Sequence, residues 1–345
     1  MYLSFRWYAE DDPIPLAHIR QIPGMVSVVT ALYDVPASQV WPMARLVALK
    51  EEIEAAGLRF DVVESIPVHE DIKLGRPARD ALIEVYCRNI RQLGELGVAV
   101  LCYNFMPLFN WFRTDLAMAL PDGSTAMAYD HSSIANVPDP WSANFPAYWP
   151  LEDSAADLKI AYRTITEEDL WENLAYFLHA IVPVAEEANV KLAMHPDDPP
   201  WPIFGLPRIL CTEDDLARLL RIVDNDYNGL TFCTGSLGAN PANDLPAMIR
   251  RFGDRIHFAH CRNVKITGDK VFHESAHPLE CGNVDLVAVM KTLHDIGFTG
   301  PLRPDHGRMI WGETGIPGYG LYDRALGAMY LRGVWEGAGR LTKAW

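Results

Sequence analysis

Residues able to bind a divalent transition metal recur through the second half of this 345-residue chain, each near the end of a short apolar run. His195 closes VKLAMHP (190–196), Cys233 lies in GLTFCTG (229–235), His260 in RIHFAHCRN (255–263) and Asp305 in GPLRPDH (300–306). Two imidazoles, a thiolate and a carboxylate form a plausible donor set, one that by softness suits Zn²⁺ or Fe²⁺ better than Mn²⁺. Any one of them alone reads as a packed core residue, and Cys233 as a small buried hydrophobe. Their equivalent positions on consecutive runs are what point to a shared site.

His306 follows Asp305 directly. Neighbours on a strand face opposite ways, so both can serve one site only where the strand ends. A carboxylate on the metal beside an imidazole that exchanges protons is the pairing needed for an acid–base step next to a Lewis acid. Arg308 is a candidate partner for a substrate carboxylate, and Arg262, Asn263 and His277 are candidate substrate contacts. Asn104 and Arg6 also fall at the ends of runs. Asp197 and Asp198 are candidate acceptors that orient His195, although DDPP also reads as a turn. Arg303 and Pro304 have no chemical role on this reading.

The elements that must position these residues follow from hydrophobic periodicity. Eight runs read as strands: 3–8, 26–32, 59–65, 98–105, 190–196, 229–235, 255–263 and 300–306. Helical patterns lie between them, such as WPMARLVALKEEIEAAG, RDALIEVYCRNIRQLGELG and EEDLWENLAYFLHAIVPVAEEAN. Alternating strands and helices predict an α/β fold, a (β/α)8 TIM barrel in one domain over 1–345, with catalytic residues where strands end. The alternative, a doubly wound open sheet, lacks a Gly-rich phosphate loop after the first strand. Two segments interrupt the alternation. The aromatic-rich stretch 107–166 after the fourth strand is too long for an ordinary connection and predicts a lid. After the seventh strand, 264–283 has the alternation and TGDK turn of a β-hairpin, which would carry His273 and His277 outward.

Composition removes several function classes. A formal charge of −15, with no run of Lys or Arg, argues against a nucleic-acid partner. No apolar run approaches the roughly 18 residues of a membrane span, and the N-terminus lacks a basic stretch followed by an apolar block. The expectation is a soluble cytoplasmic protein. Its six cysteines, without CxxC pairs, would be mostly reduced and buried.

Longer motifs carry a resemblance that runs essentially end to end. They include FRWY, HIRQIPGM, VHEDIKLG (68–75), CYNFMP (102–107), RTDLA with LPDGS, HPDDPPWPIFGLPRI (195–209), CTGSLGANPAND (233–244), IHFAHCRN, FHESAH, RPDHGR and PGYGLYDRALG (317–327). In these the chain resembles the mannonate dehydratase family, hydro-lyases of hexuronate catabolism that convert D-mannonate to 2-keto-3-deoxy-D-gluconate. The resemblance implies a xylose-isomerase-like TIM barrel and one Mn²⁺ or Fe²⁺ ion on His195, Cys233, His260 and Asp305, overruling the softness preference. It also implies catalytic roles for His306 and a tyrosine of PGYGLYD, taken as Tyr319, with Tyr322 the near alternative. Tyrosine as base at carbon 2 and His306 as acid is the expected division. The partner expected is a small sugar acid, with the chain itself in a homo-oligomer, dimer or tetramer. Other readings are a metal-dependent sugar isomerase or epimerase, or a non-catalytic sugar-acid-binding barrel.

Overall fold

The computed structural model describes residues 1–134, 152 and 155–341. Strands are numbered in chain order. β1 (Tyr2–Arg6), β2 (Met25–Thr30), β3 (Arg59–Glu64), β4 (Val100–Tyr103), β7 (Lys191–Met194), β8 (Asn228–Cys233), β9 (Ile256–His260) and β12 (Pro301–Arg303) close into a parallel barrel, in the order β1-β12-β9-β8-β7-β4-β3-β2. All eight runs predicted as strands are present, and the open sheet is excluded. Most stop a residue or more before the sequence pattern does. The chain beyond turns into the barrel mouth while keeping some ladder bonds: Trp7 N donates to Val29 O at 3.0 Å and His195 N to Tyr103 O at 2.7 Å.

β8 is buried at every position, as expected of a parallel strand covered on both faces. The helices outside it follow their periodicity: Met43–Ala55, Arg79–Glu95 and Glu167–Glu187 fall within the three predicted segments. Glu167–Glu187 begins at a capping box, in which Thr166 and Asp169 satisfy each other's backbone N–H groups. It buries Leu170, Trp171, Leu174, Phe177, Leu178 and Ile181 against the barrel. Among the described residues no helix is long and apolar enough to cross a membrane.

The two interruptions meet. β5 (Asp115–Ala119) and β6 (Thr125–Asp130) lie in the segment expected to be a lid, and β10 (Asn263–Gly268) and β11 (Val271–Ser275) form the expected hairpin. Together they make one antiparallel sheet of order β10-β11-β6-β5, joined where Phe272 pairs with Tyr129. The sequence pattern separates these hairpins by well over 100 residues, so their pairing is a tertiary result. The lid expectation also covers residues 135–151 and 153–154, which lie outside the described residues. The hairpin is shorter than 264–283, and His277 lies beyond it, folded inward and 2% exposed instead of carried outward.

Buried charge fixes this sheet to the barrel. Arg113, just before β5, donates to Asp198 at 2.8 and 3.0 Å and to Glu274 on β11 at 2.7 Å. Arg262, just past β9, donates to the same two carboxylates at 2.7 and 2.6 Å. All four side chains are almost fully buried. Burial raises the Glu274 carboxyl, but Arg262 and Arg113 outweigh it and bring it from 4.5 down to about 2. The same opposition holds Asp198 well below the usual carboxylate range.

Both depressed carboxyls contribute stability that is complete above their ordinary titration range and is lost as pH falls, for Glu274 from 4.5 towards about 2. Arg113→Met leaves these acids with Arg262 alone and is expected to cost about 3–5 kcal/mol. Urea denaturation across pH should show that loss at neutrality and a flatter acid dependence than in the wild type. An unchanged acid limb would show that Arg113 does not hold these carboxylates.

Candidate active site

Strand register assembles the site. Cys233 lies across from His260, and His260 across from Arg303. Paired residues of neighbouring strands point to the same face, so one layer holds a thiol, an imidazole and a guanidinium. Across the barrel, Glu64 on β3 pairs with Cys102 on β4. Beneath them Val29, Val62, Val100, Ala193 and Phe258 pack the interior as an apolar floor.

His195, Cys233 and His260 each offer a donor atom, and these atoms all lie within 4.8 Å of one another. His195 Nδ1 is 2.7 Å from Pro196 O. A carbonyl oxygen only accepts, so Nδ1 carries the hydrogen and Nε2 keeps its lone pair. Cys233 Sγ is held by the Ser236 hydroxyl at 3.1 Å, and His260 Nε2 carries no hydrogen bond among the described residues. Asp305 stands beside this group, 3.4 Å from Cys233 Sγ and 3.9 Å from His260 Nδ1, but outside it. Its carboxylate faces Arg262 at 2.8 Å and Arg303 at 2.8 Å. The Arg303 pair is made through Asp305 Oδ1, which has no well-directed hydrogen bond among the described residues. Two imidazoles, a sulfur and a nearby carboxylate oxygen, with buried atoms left unsatisfied, fit a single divalent transition ion. A second trio, Glu64, Cys102 and His260, meets the same distance limit.

His306 and Tyr319 form the other half of the site. Asp305 and His306 lie past the end of β12, where alternation relaxes, and both line the cleft, with His306 Nε2 3.7 Å from Asp305 Oδ1. His306 Nε2 is 2.8 Å from Tyr319 Oη and Nδ1 is 3.2 Å from Glu274 Oε1. Burial pushes the imidazole below its usual range, against the pull of Asp305. The two loops are joined where Gly307 N donates to Gly318 O at 2.9 Å. Gly318 has φ +78°, the conformation that calls for glycine, and a Cβ there would lie 2.3 Å from Met127 Cε of the lid sheet and push that side chain aside. Arg324 donates to the carbonyls of Tyr319 and Arg6, fixing both residues. Tyr322 is 42% exposed and packs on Trp311, away from His306. Of the two tyrosines left open by the sequence, Tyr319 is the one beside His306.

His195, Asp305, His306 and Tyr319 line a cleft of about 580 Å³, counting the space open to solvent, while Cys233 and His260 lie behind its lining. Arg6, Glu64, Asn104, Asn110, Trp111 and Arg303 share its walls. Trp111 and Asn110 come from the lid segment, and the Trp111 ring lies 5.4 Å from that of His306.

The four expected substrate contacts do not reach this lining, and protein partners occupy them instead. Arg262 is enclosed by Asp198, Glu274 and Asp305. Asn263 donates to Pro278 O at 3.2 Å and accepts from Val284 N at 2.9 Å. His277 Nε2 is 3.0 Å from Cys261 O. Arg308 is paired with Asp122 at 2.8 Å and Asp323 at 2.9 Å. Neither Asp197 nor Asp198 bonds to His195: Asp197 accepts from Ile209 N and Leu210 N, and Asp198 from the two arginines. Sequence reasoning missed Arg303 and Glu64, although Arg303 has the same strand parity as Asp305. Glu274 left no such signal.

The family model described as D-mannonate dehydratase (UxuA) matches residues 1–344. The mannonate dehydratase of Thermotoga maritima is 55% identical, covering 99% of each chain. Mannonate dehydratase 2 of Halalkalibacterium halodurans is also 55% identical, covering 97% of this chain and 99% of its own. The crystal structure of mannonate dehydratase from Streptococcus suis superposes with a TM-score of 0.91 at 50% identity, over 99% of this chain and 96% of that one. An L-ribulose 3-epimerase at 15% identity and a TM-score of 0.58 shares the fold. With the family model matched over residues 1–344 and these relatives aligned nearly from end to end, the chain belongs to the D-mannonate dehydratase family.

Proposed function

We propose that this protein removes water from D-mannonate to give 2-keto-3-deoxy-D-gluconate, as a cytoplasmic hydro-lyase of hexuronate catabolism. The observation that carries the assignment of roles is the 2.8 Å contact between His306 Nε2 and Tyr319 Oη beside the His195, Cys233 and His260 trio.

The reaction takes a weakly acidic proton from carbon 2 and expels a poor leaving group, the hydroxyl on carbon 3. His195, Cys233 and His260 would hold one divalent ion, with Asp305 adjacent, and Mn²⁺ or Fe²⁺ is the ion the family resemblance implies. When bound, it supplies Lewis-acid polarisation of the carboxylate and 2-hydroxyl of the substrate. Tyr319 takes the carbon 2 proton, and His306 protonates the departing hydroxyl. The C3–O bond breaks, the hydroxyl leaves as water with the electron pair, and the resulting enol tautomerises to the 2-keto acid.

Arg303 and Arg6 replace Arg308 as the cations for the anionic substrate. Both line the cleft, and Arg303 Nη1 and Arg6 Nε are buried donors without a hydrogen bond among the described residues. They pair with Glu64 at 3.1 Å each, which places them around one carboxylate. Trp111 covers His306 and keeps water from the proton transfer.

The protein stripped with chelator should lose turnover of D-mannonate and recover it on reloading, with Mn²⁺, Fe²⁺ and Zn²⁺ compared. No keto-deoxy acid from any of these would sink the assignment, and aldose–ketose interconversion would favour an isomerase. Cys233→Ser should retain metal at least about tenfold less tightly, read by metal analysis after dialysis. Tyr319→Phe should lower kcat by about 10²–10⁴ and abolish solvent deuterium exchange at carbon 2, whereas Tyr322→Phe should keep the wild-type rate. Exchange surviving in Tyr319→Phe would transfer the base role elsewhere. Arg303→Met should raise KM for D-mannonate, and an unchanged KM would remove it as an anchor.

A further inference from the structure

The group that sets the orientation of the His306 ring comes from outside the barrel. Glu274 lies on β11 of the lid-bearing sheet, with no exposed surface, and its Oε1 is 3.2 Å from His306 Nδ1. Its oxygens also accept from Arg113 at 2.7 Å and from Arg262 at 2.6 Å. A carboxylate held by two guanidinium groups is ionised and only accepts. Its contact with the ring therefore requires hydrogen on Nδ1.

We propose that Glu274 is a positioning residue for the acid–base pair: by accepting from Nδ1–H it confines proton exchange by His306 to Nε2, facing Tyr319 and the cleft. The inference rests on the reading of His306 and Tyr319 as that pair. In the neutral ring Nε2 presents a lone pair to the Tyr319 hydroxyl, and after receiving a proton it presents an N–H at the same place. One proton moves between Oη and Nε2, and no other ring position takes part.

Glu274 and Asp198 balance Arg113 and Arg262 while all four charges are present, so removing the Glu274 charge also makes the cluster more positive, and the ring tautomer is the readout that separates orientation from electrostatics. Its contribution is a fixed acceptor at a fixed place. Replacing it with glutamine leaves one NH₂ among N–H donors whichever way the amide faces, and releases the ring to adopt either tautomer. The effect should fall on the chemical step and spare substrate binding, because Glu274 does not line the cleft.

The test combines kinetics with ¹⁵N NMR of histidine-labelled protein loaded with Zn²⁺, which avoids paramagnetic broadening, the His306 signals being identified by their loss in His306→Asn. The wild type should show Nδ1 protonated. Folded Glu274→Gln should show a mixed tautomer and a kcat lowered about 10–100-fold with KM within about threefold, and Glu274→Asp should recover part of both. A wild-type ring protonated only at Nε2 would overturn the proposal even if Glu274→Gln fails to fold. So would a folded Glu274→Gln with wild-type kcat, or one whose loss lies entirely in KM. Absence of D-mannonate turnover in the wild type would refute the reading of function, and the tautomer measurement would still decide the role of Glu274.

Discussion

Desolvated charge organises this molecule. Arg113, Arg262, Asp198 and Glu274 lie almost wholly out of water, and removing ions from water costs several kcal/mol each unless they meet partners in good geometry. No one segment supplies a balanced set. Arg113 comes from the lid, Asp198 from the chain after β7, Arg262 from the end of β9 and Glu274 from β11. The charges are therefore satisfied only when the barrel and the second sheet are docked together. The same interactions carry on into the site, because Arg262 also holds Asp305 and Glu274 also touches His306.

This construction divides the labour of the barrel mouth. The apolar layer of Val29, Val62, Val100, Ala193 and Phe258 closes the floor, so every group above it is set by strand ends and the sheet over them. On one side stand the metal-binding candidates, soft and partly unsatisfied. On the other stand His306 and Tyr319, joined by the loop contact between Gly307 and Gly318. Arg303 and Glu64 lie between the two halves. Burial raises the Glu64 carboxyl, while Arg303 and Arg6 together hold it well below the usual range, so the centre of the cleft keeps fixed charge in a low-dielectric setting suited to an anionic substrate.

The lid sheet belongs to this arrangement physically as well as topologically. Thr125 on β6 exchanges backbone hydrogen bonds with Met309, three residues past His306, at 3.1 and 2.8 Å. Met127 on the same strand packs over Gly318, and Phe112 N donates to Asp198 O at 3.1 Å. The loop bearing His306 is thus paired on one side and covered on another, a way of holding its side chain in a narrow range of positions.

By itself the sequence determined the barrel and the parts of the site that strand alternation reaches. Period-2 runs with helices between them specify a closed parallel sheet, and strand ends place His195, Cys233, His260 and Asp305 at one mouth, since local pattern governs both. The helices were legible for the same reason. Tertiary structure decided what depends on distant segments meeting. It chose Tyr319 over Tyr322, turned Asp305 towards two arginines, brought Glu274 to His306, and directed Arg262, Asn263, His277 and Arg308 to protein partners. In sequence those four are polar residues near strand ends, indistinguishable from ligand contacts. Only the pairing of β6 with β11 shows where the buried acids lie, and buried charge takes the nearest opposite charge in space, whatever its distance along the chain.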